Sequence, residues 1–209
     1  MPSAPHGFLR IGAACPRVAV ADPESNANFL LAAIREAHGR GVQVLVLPEL
    51  CLTGYTCGDL FFSHHTLVGG AERALSRLLA ETRRLPLVFV VGLPLAADGR
   101  LFNVAAVCQM GEVAGLVPKT HLPNYTEFHE ERWFCSATDV LSSEARLLGR
   151  DVPLGADLLF TLPDEPQVTL GVEICEDLWA PMPPSSRLAM AGATVLLCPS
   201  ASPDQVGKA

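Results

Sequence analysis

Three residues of this chain stand where an apolar run stops: Glu49 in Pro48-Glu49-Leu50, Lys119 in Pro118-Lys119-Thr120, and Cys175 in Ile174-Cys175-Glu176-Asp177. A carboxylate, an ammonium and a thiol carried to the ends of separate buried strands could perform acyl chemistry together. Glu49 could take the thiol proton, and Cys175 could attack a carbonyl carbon to form a thioester. Lys119 could hold the developing oxyanion and keep the thiolate anionic. A positioned base is worth roughly 10²–10⁴ in rate. Spacing alone only suggests this, because many α/β domains carry such residues near strand ends. An isolated Cys at an apolar run is more often a packing residue.

The elements that must position these side chains are legible in the hydrophobic pattern. Val42 to Leu47 is nearly continuously aliphatic, as expected of a strand covered on both faces, and it delivers Glu49. Leu87 to Leu95 reads as a second such strand. Asp98-Gly99 marks a hairpin turn, after which Phe102 to Met110 and Val113 to Val117 pair around Gly111-Glu112 and deliver Lys119. Val168 to Ile174 is the strand before Cys175, and Val195 to Cys198 is the last strand. Strand pieces are also expected at Arg10 to Ala14 and Val18 to Val20. Helices are expected from the Asp22-Pro23-Ser25 start signal to Gly39, over Gly70 to Arg84, and from Ser185 and Ser186, as caps, to Ala191. A short helix is expected at the end of the Cys51 to Phe62 loop. Asp139 to Leu162 is expected to be irregular, with a strand near Leu158 to Leu162. Strands alternating with helices around one central hairpin define a layered α/β fold with mixed sheets.

Composition bounds the function. The 209 residues are 49% hydrophobic, enough for a substantial core in one domain spanning residues 1–209. The net charge of -7 comes without any basic block, which argues against nucleic acid and a membrane surface as partners. Seven scattered Cys without a CxxC pair, and no signal-peptide pattern, point to a reducing, cytoplasmic setting. Cys15, Cys108, Cys135 and Cys198 are expected to pack. Cys51, Cys57, His64 and His65 do not have a zinc-type spacing, so no metal is expected.

The residues around the triad carry more information than its spacing. Leu47-Pro48-Glu49-Leu50, Gly54-Tyr55, Lys119-Thr120-His121-Leu122-Pro123-Asn124-Tyr125 and Val172-Glu173-Ile174-Cys175-Glu176-Asp177-Leu178-Trp179 resemble the nitrilase, or carbon–nitrogen hydrolase, superfamily. Gly54 to Phe61, Pro123 to Phe134, Ser200 to Pro203 and Gly207-Lys208 resemble one branch of it, the glutaminase domains of glutamine-dependent NAD(+) synthetases. The resemblance runs from about Phe8 to Ala209. It implies a four-layer α-β-β-α sandwich of the nitrilase type with mixed sheets. It also implies a catalytic set of Glu49 as base, Lys119 and the nucleophile Cys175, with a second active-site carboxylate at Glu130 or its competitor Glu127. Substrate contacts are implied at Tyr125, Ser202 and Lys208, and the Glu176 backbone N–H is a candidate oxyanion donor.

The implied reaction is hydrolysis of the L-glutamine side-chain amide, with ammonia passed to a synthetase domain that amidates deamido-NAD. That domain would use ATP and Mg; no Gly-rich phosphate loop stands in this sequence, so no cofactor is expected within it. The chain is expected to lack the C-terminal part of the sandwich and to form a homo-oligomer. Two other readings stay open: an amidase acting on another small amide, and a catalytically silent fragment.

Overall fold

The computed structural model describes residues 8–203 and Gly207. The first half of the chain builds a five-stranded sheet from Ile11–Ala13 (β1), Val44–Val46 (β2), Val88–Ala97 (β3), Arg100–Gln109 (β4) and Glu112–Pro118 (β5), in that order across the sheet. The first three strands run parallel, joined by crossovers, and β3, β4 and β5 run antiparallel through tight turns. Two helices, Pro23–Gly39 (α1) and Gly69–Thr82 (α2), lie in the crossovers. The Asp22 carboxylate accepts from the Ser25 N–H at 3.1 Å and caps α1, while Pro23 occupies a first-turn position that needs no N–H partner.

Alternation along each strand separates two cores. Leu45, Phe89, Val91, Val104 and Ala106 face α1 and α2, where they meet Leu30, Ile34, Leu75 and Leu78. Those four helix residues are fully buried, so truncating any one to Ala costs about 2–5 kcal/mol. Val44, Val88, Val90, Ala105 and Val107 face the other way, onto a second sheet. That sheet has the order β10-β9-β8 and consists of Leu159–Leu162 (β8), Glu165–Val172 (β9) and Val195–Leu197 (β10). Its inner residues are Leu162, Leu170, Val172 and Leu197, continued by Ile174. On its outer face, Pro184–Met190 (α3) packs so closely that a Cβ on Gly171 would lie 3.1 Å from that of Leu188. The layers therefore run helix, sheet, sheet, helix, the four-layer arrangement expected from sequence. Among the described residues no helix is long and apolar enough to cross a membrane.

Several local expectations differ from the structure. Val18 to Val20 forms no strand; Ala19 pairs instead with the Asn26 side chain of α1, and Val20 enters a turn. Residues 139–162 are not mainly irregular, because Glu144–Leu147 (β6) and Arg150–Pro153 (β7) form a further hairpin around Leu148-Gly149. Each strand is only four residues long, too short for its alternation to stand out. The hairpin between β4 and β5 turns at Met110-Gly111, both with positive φ, one residue earlier than expected. Ser185 and Ser186 do not cap α3 with their side chains. Instead the Ser185 N–H donates to the buried Glu173 carboxylate at 2.8 Å. Cys15 is exposed rather than packed.

Candidate active site

The ends of β2, β5 and β9 converge, and with them the three residues singled out by type. Glu49 follows β2 on a loop that crosses directly over β3. A Cβ on Gly92 in β3 would stand 2.2 Å from the Leu50 nitrogen and 2.8 Å from the Glu49 carbonyl carbon, so this crossing requires glycine. Lys119 follows β5 and extends its ladder, donating its N–H to the Asn103 carbonyl of β4 at 2.9 Å. Lys119 is wholly buried. Its Nζ reaches Glu49 Oε1 and Glu130 Oε1, both at 2.6 Å. Glu130 comes from a single 3-10 turn, Glu130–Arg132, so it and not Glu127 is the second carboxylate at the lysine. Glu127 stands on the wall of the adjoining pocket.

Cys175 opens a 3-10 turn, Cys175–Trp179, directly after the β9 run. Its φ of +47° lies in the left-handed region, which costs a side-chain-bearing residue about 1–2 kcal/mol. Two groups hold the conformation. The Cys175 N–H donates to the Pro199 carbonyl at 3.1 Å. Asp177, almost fully buried, accepts from the N–H groups of Ile174 at 3.0 Å, Thr120 at 3.1 Å and His121 at 2.7 Å. Asp177 therefore ties the nucleophile's turn to the strand end that carries Lys119. Burial raises its carboxyl above the ordinary range, and those three amides oppose the rise.

The thiol faces Glu49, Lys119 and the Ala201 amide. Burial, then the Glu49 charge, push it up to about 11, with Lys119 pulling the other way. At neutral pH the resting group is therefore the thiol, and its proton must leave as the sulfur attacks. Burial opposes the charge on Lys119, but the two carboxylates outweigh it and hold the ammonium well above the usual lysine range. Burial and the neighbouring Glu49 raise Glu130.

Beyond the thiol lies a pocket of about 440 Å³, lined by Tyr55, Tyr125, Glu127, Phe128, Trp179 and Ser202 among others. Of the sequence-predicted contacts, Tyr125 and Ser202 stand on this wall. The Tyr125 hydroxyl donates to the Glu176 carboxylate at 2.9 Å, and its ring meets Phe128 edge-on. Lys208 lies outside the described residues. Among the described residues no cluster of His, Cys, Asp or Glu is arranged to hold a metal.

Three participants were not singled out from sequence. The Tyr55 hydroxyl donates to Glu130 Oε1 at 2.6 Å. The Ala201 N–H donates to Glu49 Oε2 at 3.1 Å. Asn103 Nδ2 donates to Glu49 Oε1 at 2.7 Å. Asn103 had a readable signal: it is a lone amide inside an apolar strand, and a buried polar group needs a partner.

The carbon-nitrogen hydrolase family model matches residues 10–208, and the chain belongs to that family. Within it, the chain is 43% identical over 204 residues to the glutamine-dependent NAD(+) synthetase of Mycobacterium tuberculosis (strain ATCC 25618 / H37Rv), covering 98% of this chain and 30% of that protein. The crystal structure of a glutamine-dependent NAD(+) synthetase from Cytophaga hutchinsonii superposes with a TM-score of 0.82 at 32% identity, over 96% of this chain and 32% of that one. An amidase from Nesterenkonia sp. shares the fold, with a TM-score of 0.73 at 21% identity, over 94% of this chain and 66% of the amidase. The chain thus spans about a third of the length of the synthetases it matches.

Proposed function

We propose that these residues hydrolyse the side-chain amide of L-glutamine and form the ammonia-supplying part of a glutamine-dependent NAD(+) synthetase. The observation that carries the reading is the buried Glu49–Lys119–Glu130 array, with Glu49 and Lys119 both facing the Cys175 thiol at the floor of a pocket sized for a small amide. The likeness to synthetases over nearly the whole chain supports the choice of glutamine.

In this reading Glu49 accepts the thiol proton as Cys175 Sγ bonds to the amide carbon. Lys119 and the backbone N–H of Glu176 stabilise the oxyanion. Collapse of the tetrahedral species returns the proton to the amide nitrogen, and ammonia leaves. Water, giving a proton to Glu49, then attacks the thioester carbon. Glutamate departs and the thiol regains its proton. Tyr125, Ser202 and Lys208 hold the substrate. ATP and Mg serve the synthetase part, where deamido-NAD is amidated with the released ammonia.

The test is ammonia release from glutamine and from a panel of small amides, by the wild type and by Cys175→Ala. Release from glutamine that vanishes in the variant supports the proposal. Preference for a different amide, or no release from a folded protein, overturns it.

A further inference from the structure

Asn103 sits on β4 directly beside Lys119, and both residues are wholly buried. Its Nδ2 donates to Glu49 Oε1 at 2.7 Å and approaches Glu130 Oε2 at 3.4 Å. The two carboxylates are therefore bridged twice, once by the ammonium and once by the amide. Among the described residues the buried Asn103 Oδ1 has no hydrogen-bond partner. The orientation of the amide follows from charge, since turning it over would press its carbonyl against two carboxylate oxygens. An unpaired buried carbonyl works against folding, so an apolar residue would suit this strand better unless the NH₂ group does something there.

We propose that Asn103 is the positioning residue of the general base. Its NH₂ group and Lys119 together occupy Glu49 Oε1. That leaves Oε2, which accepts from the Ala201 amide beside Cys175, as the oxygen that takes the thiol proton. A neutral donor suits the place. The charged and titratable groups around it are Glu49, Glu130, Lys119, Tyr55 and Cys175, with Asp177 and Tyr125 further out. An amide orients both carboxylates without changing that balance, whereas a third carboxylate would hold a proton on the pair.

The inference rests on Glu49 acting as base toward Cys175. The experiment compares wild type, Asn103→Leu and Asn103→Asp by three readouts: thermal melting, ammonia release from glutamine across pH, and iodoacetamide alkylation of Cys175 across pH. Folded Asn103→Leu should lose about 10–100-fold in kcat with KM within about twofold, because the base is present but loosely aimed. Asn103→Asp, close to isosteric, should move the acid limb of the rate profile and the alkylation profile up by about one pH unit, with activity partly recovered at higher pH. A folded Asn103→Asp protein whose limbs stay at the wild-type pH overturns the assignment, even if Asn103→Leu fails to fold. So does a loss of rate in both variants that only follows the loss of folded protein. Should wild type release no ammonia from glutamine, the substrate reading falls, while the alkylation profiles still decide the role of Asn103.

Discussion

Replacing Gly92 by Ala should disable the site without touching any reacting group. The added Cβ would stand 2.2 Å from the Leu50 nitrogen and 2.8 Å from both the Glu49 carbonyl carbon and the Pro48 oxygen. All of these are backbone atoms, so no side chain can swing away. Ordinary contact begins near 3.4 Å, so the 48–50 segment must withdraw by about 1 Å. β3 cannot yield instead, because Gly92 is central in its ladder with β4 and its carbonyl accepts from the Leu52 N–H at 3.1 Å. A displacement of that size at the base costs about 10²-fold in rate. Overpacking of this kind costs about 1–3 kcal/mol of stability, a fall of several degrees in Tm for a chain of this size. The assay is steady-state ammonia release from glutamine at a temperature well below the measured Tm, with circular dichroism to confirm folding. A folded Gly92→Ala enzyme within about threefold of wild-type kcat would refute the argument that this contact sets the position of Glu49.

Lys119→Met leaves Glu49 and Glu130 facing each other in the interior with no cation. It should cost about 3–5 kcal/mol in urea unfolding, and a loss below about 1 kcal/mol would contradict the buried-pair geometry. Tyr125→Phe removes only the hydroxyl that donates to Glu176, on a residue 52% exposed, so Tm should hold while KM for glutamine rises. An unchanged KM would remove Tyr125 from the substrate contacts. Burial holds Cys51 up to about 12 and Cys175 up to about 11, from an ordinary value of 9.0, and Lys119 is also held above its usual range. In each case the unfolded chain releases the proton first. The stability they contribute is therefore complete below pH 9.0 and is lost as pH rises through the folded values. The melting temperature should be flat from pH 7 to the unfolded thiol value and fall beyond it; a rise there would contradict the shifts.

Long, unambiguous elements were legible because their periodicity is strong. The aliphatic runs of β2 and β3, the Asp98-Gly99 turn and the inner face of α2 at Ala74, Leu75, Leu78 and Leu79 all match their sequence readings. The β6–β7 hairpin escaped because each strand is four residues long, too short for alternation to stand out. In the site, residues with intrinsic chemistry could be named from their types. The Gly92 crossing and the Asp177 tie could not be, since their roles depend on which backbone atoms come near them, and the partners of Asn103, two carboxylates, are brought to it only by the fold. Asn103 and Glu49 lie 54 positions apart in the chain, and nothing local joins them.

The three amides gathered by Asp177 have a dynamic consequence. Ile174 lies at the nucleophile, while Thr120 and His121 lie at the end of a different sheet, more than 50 residues earlier. One carboxylate binds both segments, so neither can fray without releasing the other. Hydrogen exchange at these amides should slow and quicken as one cooperative unit. Local opening would then take nucleophile and lysine apart together, and a half-built centre with an exposed, reactive sulfur would be scarcely populated.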